Sequence, residues 1–288
     1  MELQRRLADL KSAGFGVAAI SYDRPEILAA FSRQHGITFP LLSDTASATI
    51  RAYGILNTVA SDAIAAGDAA GPSLHEDIKK FVAVNGSRKV AALAAGTPFP
   101  GTFTIDREGR VTSRHFEEFY RERTTIASIL VRLGGQVGTV AAKQITTDHL
   151  AITAYAADAT VAAGQRTALV LRVTPRPGMH VYAPGATGYR SIALTITAPP
   201  LVRVGPMQFP ASEIYFFEPL NERVPVYQKP FELVQDLVID ATPQAEAALR
   251  DIKTLKLEGS LEYQACDDRI CFNPVAVPLT WTLNVTSH

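Results

Sequence analysis

At 288 residues the chain is longer than one hydrophobic core usually serves, which points to two domains. Its 47% hydrophobic and 19% charged residues are those of a globular protein and exclude wholesale disorder. The 28 basic and 28 acidic side chains cancel, so no excess charge draws the chain to nucleic acid or an anionic membrane.

The first residues, Met1-Glu2-Leu3-Gln4-Arg5-Arg6, contain no apolar h-region, so the sequence as it starts carries no secretory signal and reads as cytoplasmic. No stretch approaches the roughly 18 apolar residues of a membrane helix. Leu3, Leu7 and Leu10 recur at helical spacing over residues 3–11. Residues 16–21 form a short apolar run, the pattern of a strand buried on both faces. Pro25 opens a helix through Ile27, Leu28 and Phe31 that Gly36 closes. Residues 39–42 read as a second strand ending at Ser43-Asp44, and a helix over 46–53 stops at Gly54. Residues 57–96, rich in Ala and Gly with a weak helix over 76–82, read as an insertion. Strands over 102–105 and 111–116 flank Asp106-Arg107-Glu108-Gly109, a turn in which glycine supplies positive φ. A helix over 124–133 closes a first domain of residues 1–135.

This order predicts a mixed α/β sheet. A helix at residue 3 has no strand before it, so the sheet lacks a central element and leaves apolar helix surface uncovered. Small, Gly-rich residues mark 136–146 as a linker. Over 147–288 the period becomes two: Leu169, Leu171, Val173; Ile192, Leu194, Ile196; Leu255, Leu257, Leu261, Tyr263; and Val275 through Val285. Pro/Gly turns separate these runs, which predicts an antiparallel β-sandwich with one helix near 243–249.

Cys266 and Cys271 are the only cysteines. Two alternating strands joined by the polar turn between them place the thiols opposite one another, within reach of a disulfide. A bridge closing so short a loop restrains the unfolded chain by only roughly 2 kcal/mol, against nearly 5 for a long loop, so a redox role is favoured over a staple. Two cysteines supply half a zinc shell and no histidine stands at ligand spacing, so no metal is expected. Asp267 and Asp268 disfavour thiolate, with Arg269 partly offsetting them; this suits a pair that a partner attacks and reduces.

Residues 261–274, LEYQACDDRICFNP, together with Pro177-Gly178-Met179-His180-Val181-Tyr182-Ala183-Pro184 and Gly188-Tyr189-Arg190, resemble the N-terminal domain of the DsbD thiol:disulfide interchange family. The resemblance implies an immunoglobulin-like fold relaying electrons through Cys266 and Cys271 as the catalytic pair. It also implies aromatic residues lining the site and a cap loop shielding it. His180, Tyr182 and Tyr263 fall where lining residues stand, with Asp267 and Asp268 in the turn. Residues 212–218 are the candidate cap, with Phe216 or Phe217 as cover; ordinary sandwich core is the alternative for these aromatics. The turn is one residue shorter than in the best-known member.

Residues 16–21, 39–44 and 98–109 resemble the redoxin class of the thioredoxin fold, which includes the AhpC/TSA (peroxiredoxin-like) family. Pro100 matches the position of that class's frequent cis-proline, a trans loop proline being the plain alternative. The class's nucleophilic cysteine ends the strand before the first long helix, so here it would precede Met1. The expectation is therefore a truncated redoxin domain with no catalytic cysteine to transfer, and no peroxidase activity from this sequence as written. Relatives of this kind carry an export signal, which implies a periplasmic or extracytoplasmic setting.

The Gly14-Phe15-Gly16-Val17-Ala18-Ala19 run spells a dinucleotide fingerprint but precedes a strand instead of following one, and is set aside. His75-Glu76 and His115 with Glu117 and Glu118 read as solvated faces, and Asn284-Val285-Thr286 matters only if glycosylated. The leading reading is a thiol–disulfide oxidoreductase without dissociable cofactor, partnered by a thioredoxin-like protein or a membrane electron donor. A stapled binding module on an inactive thioredoxin scaffold is the alternative.

Overall fold

The computed structural model describes residues 2–58, 83–84, 96–116, 122–135, 142–218 and 221–286. The chain divides into two compact units, Met1–Arg123 and Thr124–His288.

In the first unit, helices α1 (Glu2–Arg5) and α2 (Leu7–Ser12) run on through Arg6, whose N–H reaches the Glu2 carbonyl. Leu7 packs with Ile37 and Phe39 in a small core that Leu3, Val17, Ala19 and Leu41 border. Strand β1 (Ala19–Ser21) pairs in parallel with β2 (Leu41–Ser43). Helix α3 (Pro25–His35) lies between them in sequence. It ends as its residues dictate: Gly36 takes φ 61°, and the Ile37 N–H turns back to the Ser32 carbonyl. Both carboxylate oxygens of Asp44 accept from the first turn of α4 (Ala48–Ala52), at the Ala48 and Ile50 N–H groups. Strands β3 (Gly101–Ile105) and β4 (Val111–Phe116) form the expected hairpin, with Asp106 accepting from the Glu108 and Arg110 amides.

The expected strand over 16–21 is shorter and less buried than its composition suggests. Only Ala19–Ser21 enters the ladder, and Ile20 is 44% exposed. The reason lies in the pleat: Ala19 and Leu41 turn to the small core, while the paired Ile20 and Leu42 turn to the other face. Among the described residues β1–β2 and β3–β4 are separate two-stranded sheets, not one mixed sheet. Ile27 and Phe31 on α3 are exposed. The bulk of the expected insertion at 57–96, its helix over 76–82, and His75, Glu76, Glu117 and Glu118 lie outside the described residues.

Helix α5 (Ile126–Arg132) belongs with the second unit, whereas the sequence reading gave it to the first. Thr125 explains this placement. Its Oγ1 caps the helix at the Ser128 N–H and donates to Asp158, and its own N–H reaches the Arg166 carbonyl. Arg132, at the other end, pairs with the buried Asp236. The division therefore falls before the Gly-rich stretch, of which 136–141 lie outside the described residues.

The second unit is the expected β-sandwich, and its strands in chain order are β5 (Lys143–Thr146), β6 (Leu150–Ala156), β7 (Thr160–Val161), β8 (Gln165–Pro175) and β9 (His180–Tyr182). Then come β10 (Ala193–Thr197), β11 (Val202–Gln208), β12 (Glu213–Phe217), β13 (Glu222–Tyr227) and β14 (Phe231–Ile239). After helix α6 (Pro243–Leu249) follow β15 (Thr254–Tyr263), β16 (Ala265–Cys266) and β17 (Val275–Val285). One sheet runs β11-β14-β8-β6-β5 and another β10-β15-β17-β7. Alternate residues of both enter one core, among them Leu169, Leu171, Leu233 and Leu237 with Leu255, Leu257, Leu279, Trp281 and Leu283. Gly259 sits where β10 crowds β15: a Cβ there would lie 2.7 Å from the Thr195 carbonyl oxygen and 3.2 Å from the Trp281 ring. A third sheet, β12-β13-β9-β16, carries the cysteines.

No helix among the described residues is long and apolar enough to cross a membrane.

Candidate redox site

Strands β15 and β17 pair from Thr254↔Asn284 to Tyr263↔Val275. Beyond Tyr263 the chain leaves that ladder, and Cys266 pairs instead with His180 of β9. The segment then doubles back so that Cys271 lies opposite Cys266, with Cα atoms 4.1 Å apart and the two sulfurs joined in a disulfide. Several bonds hold the loop. The Asp267 N–H reaches the Ile270 carbonyl, and the Phe272 N–H reaches the Ala265 carbonyl. Gln264 donates to the Phe272 carbonyl and accepts from the Arg190 N–H. Asp267 Oδ1 accepts from the amides of Arg269 and Ile270 at 2.8 and 2.7 Å, a local Asx turn.

The backbone amides of Ile270 and Arg269 hold the Asp267 carboxyl below its ordinary value of 3.8. A lowered folded value means that this contribution is fully present above the unfolded pKa and is lost as pH falls through the folded one. The amide resonances of Arg269 and Ile270 therefore titrate together, with a midpoint below 3.8. A shared midpoint at or above 3.8, read by NMR, refutes the Asx turn.

Partners across an antiparallel ladder share a face. Cys266, His180, Tyr182, Val226, Val224 and Glu222 accordingly lie on one face of the third sheet, with Tyr215 and Phe217 of the edge strand. Val181 and Ala265 turn the other way, into the main core. Cys266 is 2% exposed, packed with Tyr182, Val224 and Val226, whereas Cys271 is exposed. The Tyr182 hydroxyl lies 3.1 Å from Cys266 Sγ and 3.3 Å from Cys271 Sγ. Tyr189 stacks on Tyr182 with ring centroids 4.1 Å apart, and its hydroxyl donates to Glu222 at 2.6 Å. Tyr215 lies against His180 at 4.6 Å.

Burial, with Tyr189 and Glu222 beside it, pushes the Tyr182 phenol well above its usual range, so it stays protonated. The hydrogen bond to Glu222 pushes Tyr189 up as well. Burial lowers His180, with Asp267 pulling the other way, and favours its neutral imidazole. The site thus offers one exposed sulfur, one buried sulfur and a neutral, hydrogen-bonding aromatic wall.

Of the residues proposed from sequence, the structure gathers Cys266, Cys271, His180, Tyr182 and Asp267 within one loop and one sheet face. Asp268 is on the solvent side, 3.9 Å from Arg269. Phe217 shares the site's face but sits at the edge strand. Phe216 turns to the opposite face, where Arg223 lies 5.2 Å from its ring centroid; the cover over His180 is Tyr215. Tyr263 is fully buried in the main core and bonds Thr147 and His149, not the cysteines. Pro100 belongs to the first unit, and its peptide bond is trans, so the expected cis geometry is absent. Glu222 was not singled out from sequence, while Tyr189 and Gln264 entered only within motifs and Tyr215 only within the candidate cap, none with a role of its own. Period-two alternation over Glu213–Phe217 carries the signal for Tyr215, since it sets Tyr215 and Phe216 on opposite faces.

Residues 1–114 match the model of the AhpC/TSA family, and residues 149–279 match that of the thiol:disulfide interchange protein DsbD, N-terminal. Two Mycobacterium tuberculosis proteins described as peroxiredoxins, one from strain H37Rv and one from CDC 1551, are each 43% identical over 53 residues. That match covers 18% of this chain and 34% of each relative, so the chain spans about a third of the length of the curated relatives it matches. Among solved structures, the N-terminal periplasmic domain of ScsB from Proteus mirabilis aligns at 19% identity and TM-score 0.32 over 49% of each chain. The reduced N-terminal domain of DsbD from Neisseria meningitidis aligns at 17% identity and TM-score 0.28, over 40% of this chain and 77% of that one.

Proposed function

Because the chain joins an AhpC/TSA segment to a DsbD N-terminal domain, we propose that Cys266 and Cys271 exchange electrons with a thioredoxin-like partner. The observation that carries this reading is the unequal exposure of one bonded pair: Cys271 open to solvent, Cys266 sealed beneath Tyr182. A partner thiolate attacks Cys271 Sγ, the Sγ–Sγ bond breaks, and its electron pair leaves on Cys266. A second partner thiolate then attacks the mixed disulfide, releasing the dithiol form and a partner disulfide. The reverse sequence passes two electrons from Cys266 and Cys271 to an oxidised partner. No dissociable cofactor enters either direction.

The partner is a thioredoxin-like protein or a membrane electron donor. Where the thioredoxin-like partner carries a peroxide- or disulfide-reducing cysteine, the couple would recharge it. An extracytoplasmic compartment suits a pair that cycles through a disulfide.

Equilibration in glutathione or dithiothreitol buffers tests the reading. An exchangeable couple has a midpoint near or above thioredoxin's, about −270 mV, whereas a value below about −300 mV marks a structural staple and overturns the proposal.

A further inference from the structure

Among the described residues, Tyr182 is the side chain hydrogen-bonded to the sulfurs. Neither sulfur of a disulfide carries a hydrogen, so the Tyr182 hydroxyl is the donor to Cys266 Sγ at 3.1 Å and to Cys271 Sγ at 3.3 Å. The near-equal distances set its oxygen beside the Sγ–Sγ bond. The ring is held there on several sides. Tyr189 stacks on it at 4.1 Å, His180 meets it edge-on at 5.6 Å, and Val224 and Val226 pack against it. The strand that carries Tyr182 also pairs with Cys266, through His180, so hydroxyl and sulfur are placed by one ladder.

This donor stands where reduction meets its difficulty. When a partner thiolate attacks the exposed Cys271, the bonding pair must leave on Cys266, which is 2% exposed. Burial disfavours a thiolate, and a leaving thiol of high pKa leaves slowly. We propose that Tyr182 is a catalytic hydrogen-bond donor, whose O–H turns onto Cys266 Sγ as the Sγ–Sγ bond breaks and stabilises the departing thiolate. The proposal rests on the redox reading above and names the group that makes the buried cysteine a competent leaving sulfur.

The electrons balance without a proton from Tyr182. A lone pair of the partner thiolate forms the new bond to Cys271 Sγ, and the old bonding pair becomes a lone pair on Cys266 Sγ. The phenol keeps its proton, because burial pushes its ionisation well above the usual range. Cys266 and Cys271 take their protons from solvent once the partner disulfide has left. In the opposite direction the same hydrogen bond favours the Cys266 thiolate as it attacks Cys271 Sγ in a mixed disulfide. The titratable groups about the ring are His180, Tyr189, Tyr215 and Glu222, with Asp267 acting on His180.

Tyr182→Phe in the full chain removes the hydroxyl and keeps the ring. The oxidised protein is reduced by dithiothreitol and, separately, by glutathione, and loss of the Cys266–Cys271 bond is followed by rapid quench and mass spectrometry. Reduction slows on the order of tenfold or more, by a similar factor with both reagents, since the leaving sulfur is the same. NMR of the reduced protein with carbon-13-labelled cysteine reads the two thiols alone, because the chain has two cysteines. In Tyr182→Phe the Cys266 midpoint moves up by about one pH unit. Replacing Tyr182 by 3-fluorotyrosine, a more acidic phenol of nearly the same volume, speeds reduction instead. It carries the test if circular dichroism shows Tyr182→Phe unfolded. Reduction of Tyr182→Phe that is unchanged or faster, a loss with one reagent only, an unmoved Cys266 midpoint, or a fluorotyrosine protein no faster than wild type overturns the role of Tyr182 and leaves the redox reading intact. A wild-type disulfide that neither reagent reduces overturns both.

Discussion

In Cys266→Ser, Cys271 captures a partner or glutathione as a mixed disulfide that persists, whereas Cys271→Ser brings exchange down to background. The asymmetry follows from burial. Cys271 is exposed and can be attacked, and removal of Cys266 takes away the sulfur that would release what it holds. In Cys271→Ser the surviving thiol is 2% exposed beneath Tyr182. Access and thiolate character both govern the rate of exchange, and Cys266 lacks the first. In the reduced wild-type protein, an alkylating reagent labels Cys271 before Cys266 by on the order of tenfold. Mass spectrometry of the trapped adducts checks both results. Equal labelling of the two thiols, or a stable adduct on Cys266 in Cys271→Ser, removes the geometric basis of the proposal.

The largest effect on stability falls far from the sulfurs. Trp281→Ala costs about 3–5 kcal/mol, a large share of the roughly 5–15 kcal/mol that holds a domain folded. The ring is 5% exposed, and β17 pairs it with Leu257 in the middle of the shared core. Trp281→Phe costs much less. It refills most of the cavity and removes an indole N–H that is buried without a hydrogen-bond partner among the described residues. The two variants therefore separate lost volume from lost polarity. Trp281 is the only tryptophan, so circular dichroism in urea replaces fluorescence, and a shift of midpoint at constant slope reports stability. An alanine variant as stable as the phenylalanine variant contradicts this view of the core.

Local chemistry was the most legible part of the sequence. Gly36 ends its helix and Gly109 supplies the positive φ of its turn, because each acts on neighbours a few residues away. The alternation of Leu255, Leu257, Leu261 and Tyr263 marked a half-buried strand, and it also contained the answer about Tyr263. As a member of the inward set, Tyr263 goes to the core, although its nearness to Cys266 in sequence suggested the site. The bonded pair was legible from its short spacing between two runs of alternation. The pairing of Cys266 with His180 was not, since it joins positions 86 apart that only the assembled sandwich brings together. The same holds for Tyr189 and Glu222, 33 positions apart. Helix α5 was read correctly as a helix, but its apolar side gives no hint of which unit it covers; the contacts of Thr125 and Arg132 decide that.

Strand β9 has three residues, and they split their work by parity: His180 and Tyr182 look toward sulfur, Val181 toward the hydrophobic interior. A shift of that strand by one position would send an imidazole and a phenol into the interior and leave a valine beside the disulfide. Scaffold and reactivity are thus interleaved along a single thread, and chain length between Gly178 and Ala183 is far less free to vary than the identity of any one side chain there.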